Sequence, residues 1–240
     1  MSSKIRGFKI LLKRKDVPIH ESTYVCTSLG LVSGFLEAYT FLLKGGVFCN
    51  AQTGNIAMLG IYLAKADLSK IIQYTIPIIA YVVGITITVI TPKLLGKKSI
   101  SLRWETVFIA IEIIILFAIG FMPDSVPYIV PNVLISFICA MKYNTFRKHN
   151  SVILATTFCT NNLRQASLNI IEWIKTKDKQ YILKSLDFIV VNLAFMLGAV
   201  IGTLSAMQFE EKSIWLACVI LIPVFISLLL FNKNPKEAEI

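Results

Sequence analysis

The sequence predicts an all-α polytopic membrane protein made of two inverted repeats, with about six spanning helices plus two re-entrant or broken helices. Three observations predict it. Apolar residues make up 55% of the 240-residue chain and charged residues 16%, with a mean hydropathy of +0.70, whereas an average globular domain carries about 25% charge. The apolar residues lie in runs that approach the roughly 20 residues needed to cross a bilayer. Two of these runs are broken by polar motifs, at matching places in the two halves of the chain.

The same composition excludes other classes. The net charge of +10 is concentrated between apolar runs, which reads as membrane topology. No soluble basic face with interleaved aromatics is visible, so nucleic acid is not an expected partner. Cys26, Cys49, Cys139, Cys159 and Cys218 lie in apolar segments without a CxxC pair, and His20 and His149 are far apart. No metal, disulfide framework or cofactor is expected from them. HExxH, G-x-S-x-G and Walker A patterns are absent from the sequence, so enzyme chemistry has no anchor.

In chain order, residues 1–22 form a basic N-terminus whose apolar part at 4–12 suits the membrane interface. The first run spans about Tyr24 to Leu43 and contains Glu37, which fits a cleaved signal poorly. Lys44-Gly45-Gly46 breaks it, and F-C-N-A-Q-T-G-N-I-A-M-L-G follows from Phe48 to Gly60, with a helical tail to about Ala64. The third run covers Ile71 to Thr91 and is stopped by Pro92 and the basic loop Lys93, Lys97, Lys98, Arg103. The fourth, Val107 to Met122, contains Glu112; Pro123-Asp124 turns the chain. The fifth runs from Tyr128 to Met141 and ends in Lys142, Arg147 and Lys148. The sixth, Ser151 to Ile171, holds a second polar motif with Arg164. A charged link from Lys175 to Lys184 precedes the seventh, Phe188 to Met207, and the eighth spans Ile214 to Phe231. Residues 23–122 and 127–231 are then the two repeats, and 232–240 a polar tail.

Eight crossings would place Lys93–Arg103 and Lys142–Lys148 outside, against the positive-inside rule. If the second and sixth segments enter and leave on one side, those loops, the N-terminus and the tail become cytoplasmic. Asp124 and the loop Glu210-Glu211-Lys212 become external. Only Lys44 and Lys65 to Lys70 then sit on the wrong side.

The halves repeat at an offset of 107: Glu37 matches Asn144, Tyr39 matches Phe146, Thr53 matches Thr160 and Asn55 matches Asn162. After a longer link, Ala80, Tyr81 and Gly84 match Ala194, Phe195 and Gly198. Three crossings per half place the halves in opposite orientations, as in secondary transporters.

The paired patterns G-F-L-E-A-Y-T-F…F-C-N-A-Q-T-G-N and Y-N-T-F-R-K…A-T-T-F-C-T-N-N-L-R resemble the YoaK family of bacterial integral membrane proteins, over roughly residues 24 to 231. The resemblance implies a bacterial cell membrane location and assigns no chemistry. That family carries Asp-Ala where this chain has Glu37-Ala38, and Thr-Gly-Asn where it has Thr160-Asn161-Asn162.

The polar residues at depth are candidates for a solute site. Asn50, Gln52, Thr53, Gly54 and Asn55 would cap a helix starting at Ile56, with Gly54 supplying a tight bend. Thr160, Asn161, Asn162 and Arg164 would mirror them, so that two helix N-termini converge on a polar or anionic solute. Glu37, Asn144 and Glu112 are candidates for coupling or ion pairing. Glu37 and Glu112 are possible counter-ions of Arg164, since a charge in a span is costly unless paired or wetted. Gly198 and Gly202 form a GxxxG face suited to close packing, within the chain or in a homo-oligomer. The expected function is a transporter or channel for a small polar or anionic solute. The alternatives are a non-transporting scaffold or regulator and, third, an intramembrane enzyme.

Overall fold

The computed structural model describes residues 18–95, 103–123, 125–146, 148–149, 152–153 and 159–231. The basic N-terminal stretch, Lys97, Lys98, Asp124, Arg147 and the tail lie outside them. Among the described residues the eight predicted segments are eight helices: α1 (Thr23–Leu43), α2 (Gln52–Ala64), α3 (Leu68–Leu95), α4 (Trp104–Ile119), α5 (Ile129–Thr145), α6 (Cys159–Thr176), α7 (Lys179–Phe209) and α8 (Trp215–Phe231). Short 3-10 turns at Ile19–Glu21 and Glu210–Ile214 and a small antiparallel pair, β1 (Lys148–His149) and β2 (Val152–Ile153), complete them.

Helix boundaries differ from expectation, most of all in α3, α6 and α7. α3 continues through Pro92 to Leu95, because one missing N–H does not end a membrane-type helix whose neighbours support it. α6 starts at Cys159 rather than Ser151, since residues 152–153 belong to β2. α7 starts inside the expected charged link, where the Asp178 side chain accepts from Gln180 N at 2.9 Å and caps it.

Six helices alternate in direction. At one end, Trp104 Nε1 donates to Thr145 Oγ1 (3.1 Å), so the start of α4 meets the end of α5. His20, before α1, lies 3.7 Å from Glu105 of α4 at that same end. At the other end Asn132 Nδ2 donates to the Lys44 carbonyl (2.8 Å), joining the start of α5 to the end of α1. Lys44, on the wrong side by simple charge counting, is 7% exposed and paired with Glu211 of the α7–α8 turn. Tyr39 Oη also donates to the Glu211 carboxylate (3.0 Å). The lysine is therefore a local ion pair and says little about sidedness.

α2 and α6 behave differently. After α1 the chain turns at Gly45 and Gly46, both at positive φ. It then descends until Asn50 Nδ2 reaches the Ser33 carbonyl (2.9 Å), well inside α1. α2 climbs back, and Tyr62 near its end stacks on Tyr74 (centroids 5.7 Å), whose hydroxyl donates to the Gly46 carbonyl. The segment thus begins and ends at one end of the bundle. α6 mirrors this. Asn192, midway along α7, donates to the Cys159 carbonyl (3.1 Å), Ser185 to that of Ala166 (3.0 Å), and α6 ends beside the start of α7.

The packing follows a paired pattern. α1 runs parallel to α7 and α3 parallel to α5, each pair brought close by glycine; α2 lies on α3, α6 on α7, and α4 against α8. Gly198 and Gly202 face the α1 backbone at Leu31 and Phe35. Of the two packing partners the sequence leaves open for that face, α1 of the same chain lies against it.

Among the described residues three stretches, Thr23–Leu43, Leu68–Thr91 and Lys179–Leu230, are long and apolar enough to cross a membrane, the last holding both α7 and α8. Ile79, Val82, Leu193, Leu197, Val219 and Ile226 point outward. Such a surface is far larger than the apolar patches that soluble monomers expose, and lipid accounts for it.

Candidate functional site

The first polar motif splits into two groups. Asn50, Gln52 and Asn55 are buried and serve the loop itself. Asn55 grips Phe48 on both sides: Phe48 N donates to Asn55 Oδ1 (2.9 Å), and Asn55 Nδ2 donates to the Phe48 carbonyl (2.6 Å) and to Gln52 Oε1 (2.9 Å). Gln52 Nε2 closes the turn on the Cys49 carbonyl (3.1 Å). These contacts satisfy non-helical backbone that lipid could not. The helix starts at Gln52, not Ile56, and its N-cap Ala51 makes no side-chain cap. Gly54 makes no bend either. It is helical, and a Cβ there would meet the Phe48 ring at 2.6 Å, so it leaves room for that ring.

The missing cap comes from α1. Glu37 Oε2 accepts from Asn50 N (2.8 Å) and Asn50 Nδ2 (3.3 Å), and Oε1 accepts from Ala51 N (3.2 Å). A carboxylate is the natural partner of amides at a helix start. It occupies the place where a bound anion was expected.

Thr53 and Gly54 face the other way. With Glu37, Phe48 and Ala51 they line a cavity of about 850 Å³ that Tyr143, Cys159, Thr160, Asn161, Arg164 and Phe195 line as well. The starts of α2 and α6 therefore converge on one space. Asn162 is not part of it: buried, it donates to Asn192 Oδ1 (3.1 Å). Asn144 is half-buried near the end of α5 and does not line the cavity.

Arg164 is exposed to the cavity and pairs with neither expected counter-ion. Glu37 is held by amides, and Glu112 belongs elsewhere. Lys142 Nζ donates to Glu112 Oε1 at 2.9 Å between α4 and α5, and both side chains are 0% exposed. The pairing of Glu112 with Arg164 is thus corrected, and Lys142 is a packed residue rather than a loop charge. Phe48, Tyr143 and Phe195 line the cavity as well; the sequence carries each in a quoted pattern or repeat match, without marking it as a site residue.

The division of labour sets an expected result. Asn55→Ala strands both backbone groups of Phe48 and should lower stability by roughly 2–3 kcal/mol, whereas Thr53→Ala removes an exposed hydroxyl and should leave stability unchanged. Thermal unfolding of the two variants in detergent checks this; equal stabilities would refute it.

A bundle of apolar helices with an outward hydrocarbon surface and a buried ionic interior is a polytopic α-helical membrane protein. Residues 25–227 match the model of the family described as "Protein of unknown function (DUF1275)", and the chain belongs to that family. It is similar to the "UPF0700 transmembrane protein YoaK" of Bacillus subtilis (strain 168), with 23% identity over 207 residues, covering 83% of this chain and 90% of that protein. No solved structure matches the chain.

Proposed function

We propose that the protein moves a small polar or anionic solute across the membrane, through the cavity between α2 and α6. The carrying observation is that two helix starts, one from each half of the chain, face a common space of about 850 Å³ lined by Glu37 and Arg164. Interrupted helices meeting at mid-depth are where secondary transporters hold their solutes. In this reading α1, α3, α4, α5, α7 and α8 span the bilayer, α2 and α6 are re-entrant, and the halves are inverted repeats. The parallel pairs α1–α7 and α3–α5 support that symmetry, because one becomes the other when the halves are exchanged. Both termini are then cytoplasmic.

Flux into proteoliposomes tests the function. The wild type should take up at least one member of a broad mixture of small metabolites, and Arg164→Gln should cut that uptake at least tenfold with unfolding temperature unchanged, since its guanidinium bonds to no neighbour among the described residues. Folded protein that carries nothing would favour the scaffold reading, for which the structural duties of Gln52, Asn55 and Asn162 already speak. Topology has its own test. Cysteines placed at Asp67 and Lys177 should be labelled from opposite sides of the membrane; labelling from one side would remove the re-entrant arrangement.

A further inference from the structure

We propose that the cavity takes a zwitterionic ligand, with an ammonium group and an oxyanion a few bonds apart; this rests on the cavity being the solute site. Among the described residues, the charged groups that line it are Glu37 and Arg164. They stand on different helices, α1 and α6, and among the described residues no ion pair joins them. Both Glu37 oxygens accept hydrogen bonds, as a carboxylate does, and three donors fix its position. A simple anion would satisfy Arg164 and leave Glu37 facing it; a simple cation would do the reverse. A charge at membrane depth is costly unless it is paired or wetted. A ligand carrying both charges answers both groups.

The other lining residues are of two kinds. Around Arg164, Thr160 and Asn161 add hydrogen-bonding groups at the start of α6, and a guanidinium binds carboxylate or phosphate through two parallel hydrogen bonds. Phe48, Tyr143 and Phe195 contribute aromatic rings to the same space, whose faces attract an ammonium group. A volume of about 850 Å³ falls in the range of small-molecule sites and leaves room for an apolar side chain beyond the charged ends.

Binding to the purified full-length chain tests this. Alanine, leucine and phenylalanine are compared with their deaminated acids (propionate, 4-methylpentanoate, 3-phenylpropionate) and their decarboxylated amines (ethylamine, isopentylamine, phenethylamine). Equilibrium dialysis and the shift in unfolding temperature report binding. At least one amino acid should bind, and its acid and amine counterparts should bind at least tenfold more weakly. Arg164→Gln should bring the amino acid down to the level of its amine. Glu37→Gln should bring it down to the level of the acid; because that change also loosens the α2 start, the comparison within the unmodified chain carries the test. Short-chain phosphatidylethanolamine presents the same charge pair, and binding of that lipid without any amino acid would assign the site to a headgroup. Acids binding as tightly as amino acids, or no zwitterion binding at all, would overturn the proposal. Uptake of a singly charged solute with no zwitterion bound would sink it and spare the transport reading. Zwitterion binding without flux of any solute would do the opposite.

Discussion

Lys142→Met is expected to destabilise the protein by about 3–5 kcal/mol, the usual penalty for breaking a buried ion pair from one side. Lys142 is 0% exposed and is the ion-pair partner of Glu112, which is equally buried. The second carboxylate oxygen, Oε2, has no hydrogen-bond partner among the described residues. Once the ammonium is gone, that carboxylate must face apolar surroundings unaided or take up a proton. The double variant Glu112→Leu, Lys142→Met removes both charges at similar volume and should recover most of the loss, since desolvation offsets much of the attraction within a buried pair. Unfolding temperature and the monodisperse fraction in detergent read the outcome. A single variant as stable as the wild type, or a double variant as poor as the single, would contradict a paired buried charge.

That pair also marks where sequence reading stops. The eight helices were legible because apolar runs alternate with charged links, and period and length survive in one dimension. Lys142 was not, because it ends a run just before Arg147 and Lys148 and looks like a cytoplasmic flank. Only the packing of α5 on α4 shows that it turns inward. The polar breaks were legible as breaks, and their convergence followed from the repeat. What each amide does was not: whether Asn55 faces a solute or the backbone of Phe48 depends on the path of the loop that leads into α2. Glu37 and Arg164 were placed in one site by sequence, and they do line one cavity. Their expected mutual pairing failed because the amides of Asn50 and Ala51, invisible in a side-chain alphabet, reach Glu37 first.

Gly198→Ala should cost roughly 1–3 kcal/mol, as overpacking does, although alanine is the better helix former. A Cβ at Gly198 would run into the Leu31 carbonyl, and one at Gly34 into that of Phe195, in both cases backbone that cannot rotate away. α1 and α7 must then separate. The second seam makes the same demand: at Gly84 a Cβ meets the Phe137 carbonyl at 2.5 Å and Ala140 at 2.8 Å, so Gly84→Ala should lose a similar amount. Gly60, with nothing within 4 Å of its Cβ position, is the control, and Gly60→Ala should gain up to about 1 kcal/mol from helix propensity alone. Each seam joins a helix of the first half to one of the second, so the halves are locked backbone to backbone along two lines. Movement between them must pivot on these seams rather than slide along them, because sliding would drive each carbonyl into the next side chain. Glu37 and Phe195 stand on the two helices of the first seam and line the cavity. Gly198→Ala should therefore reduce solute uptake even at temperatures where the variant remains folded, while Gly60→Ala leaves uptake intact. Full uptake by folded Gly198→Ala protein would show that the α1–α7 seam does not set the shape of the site.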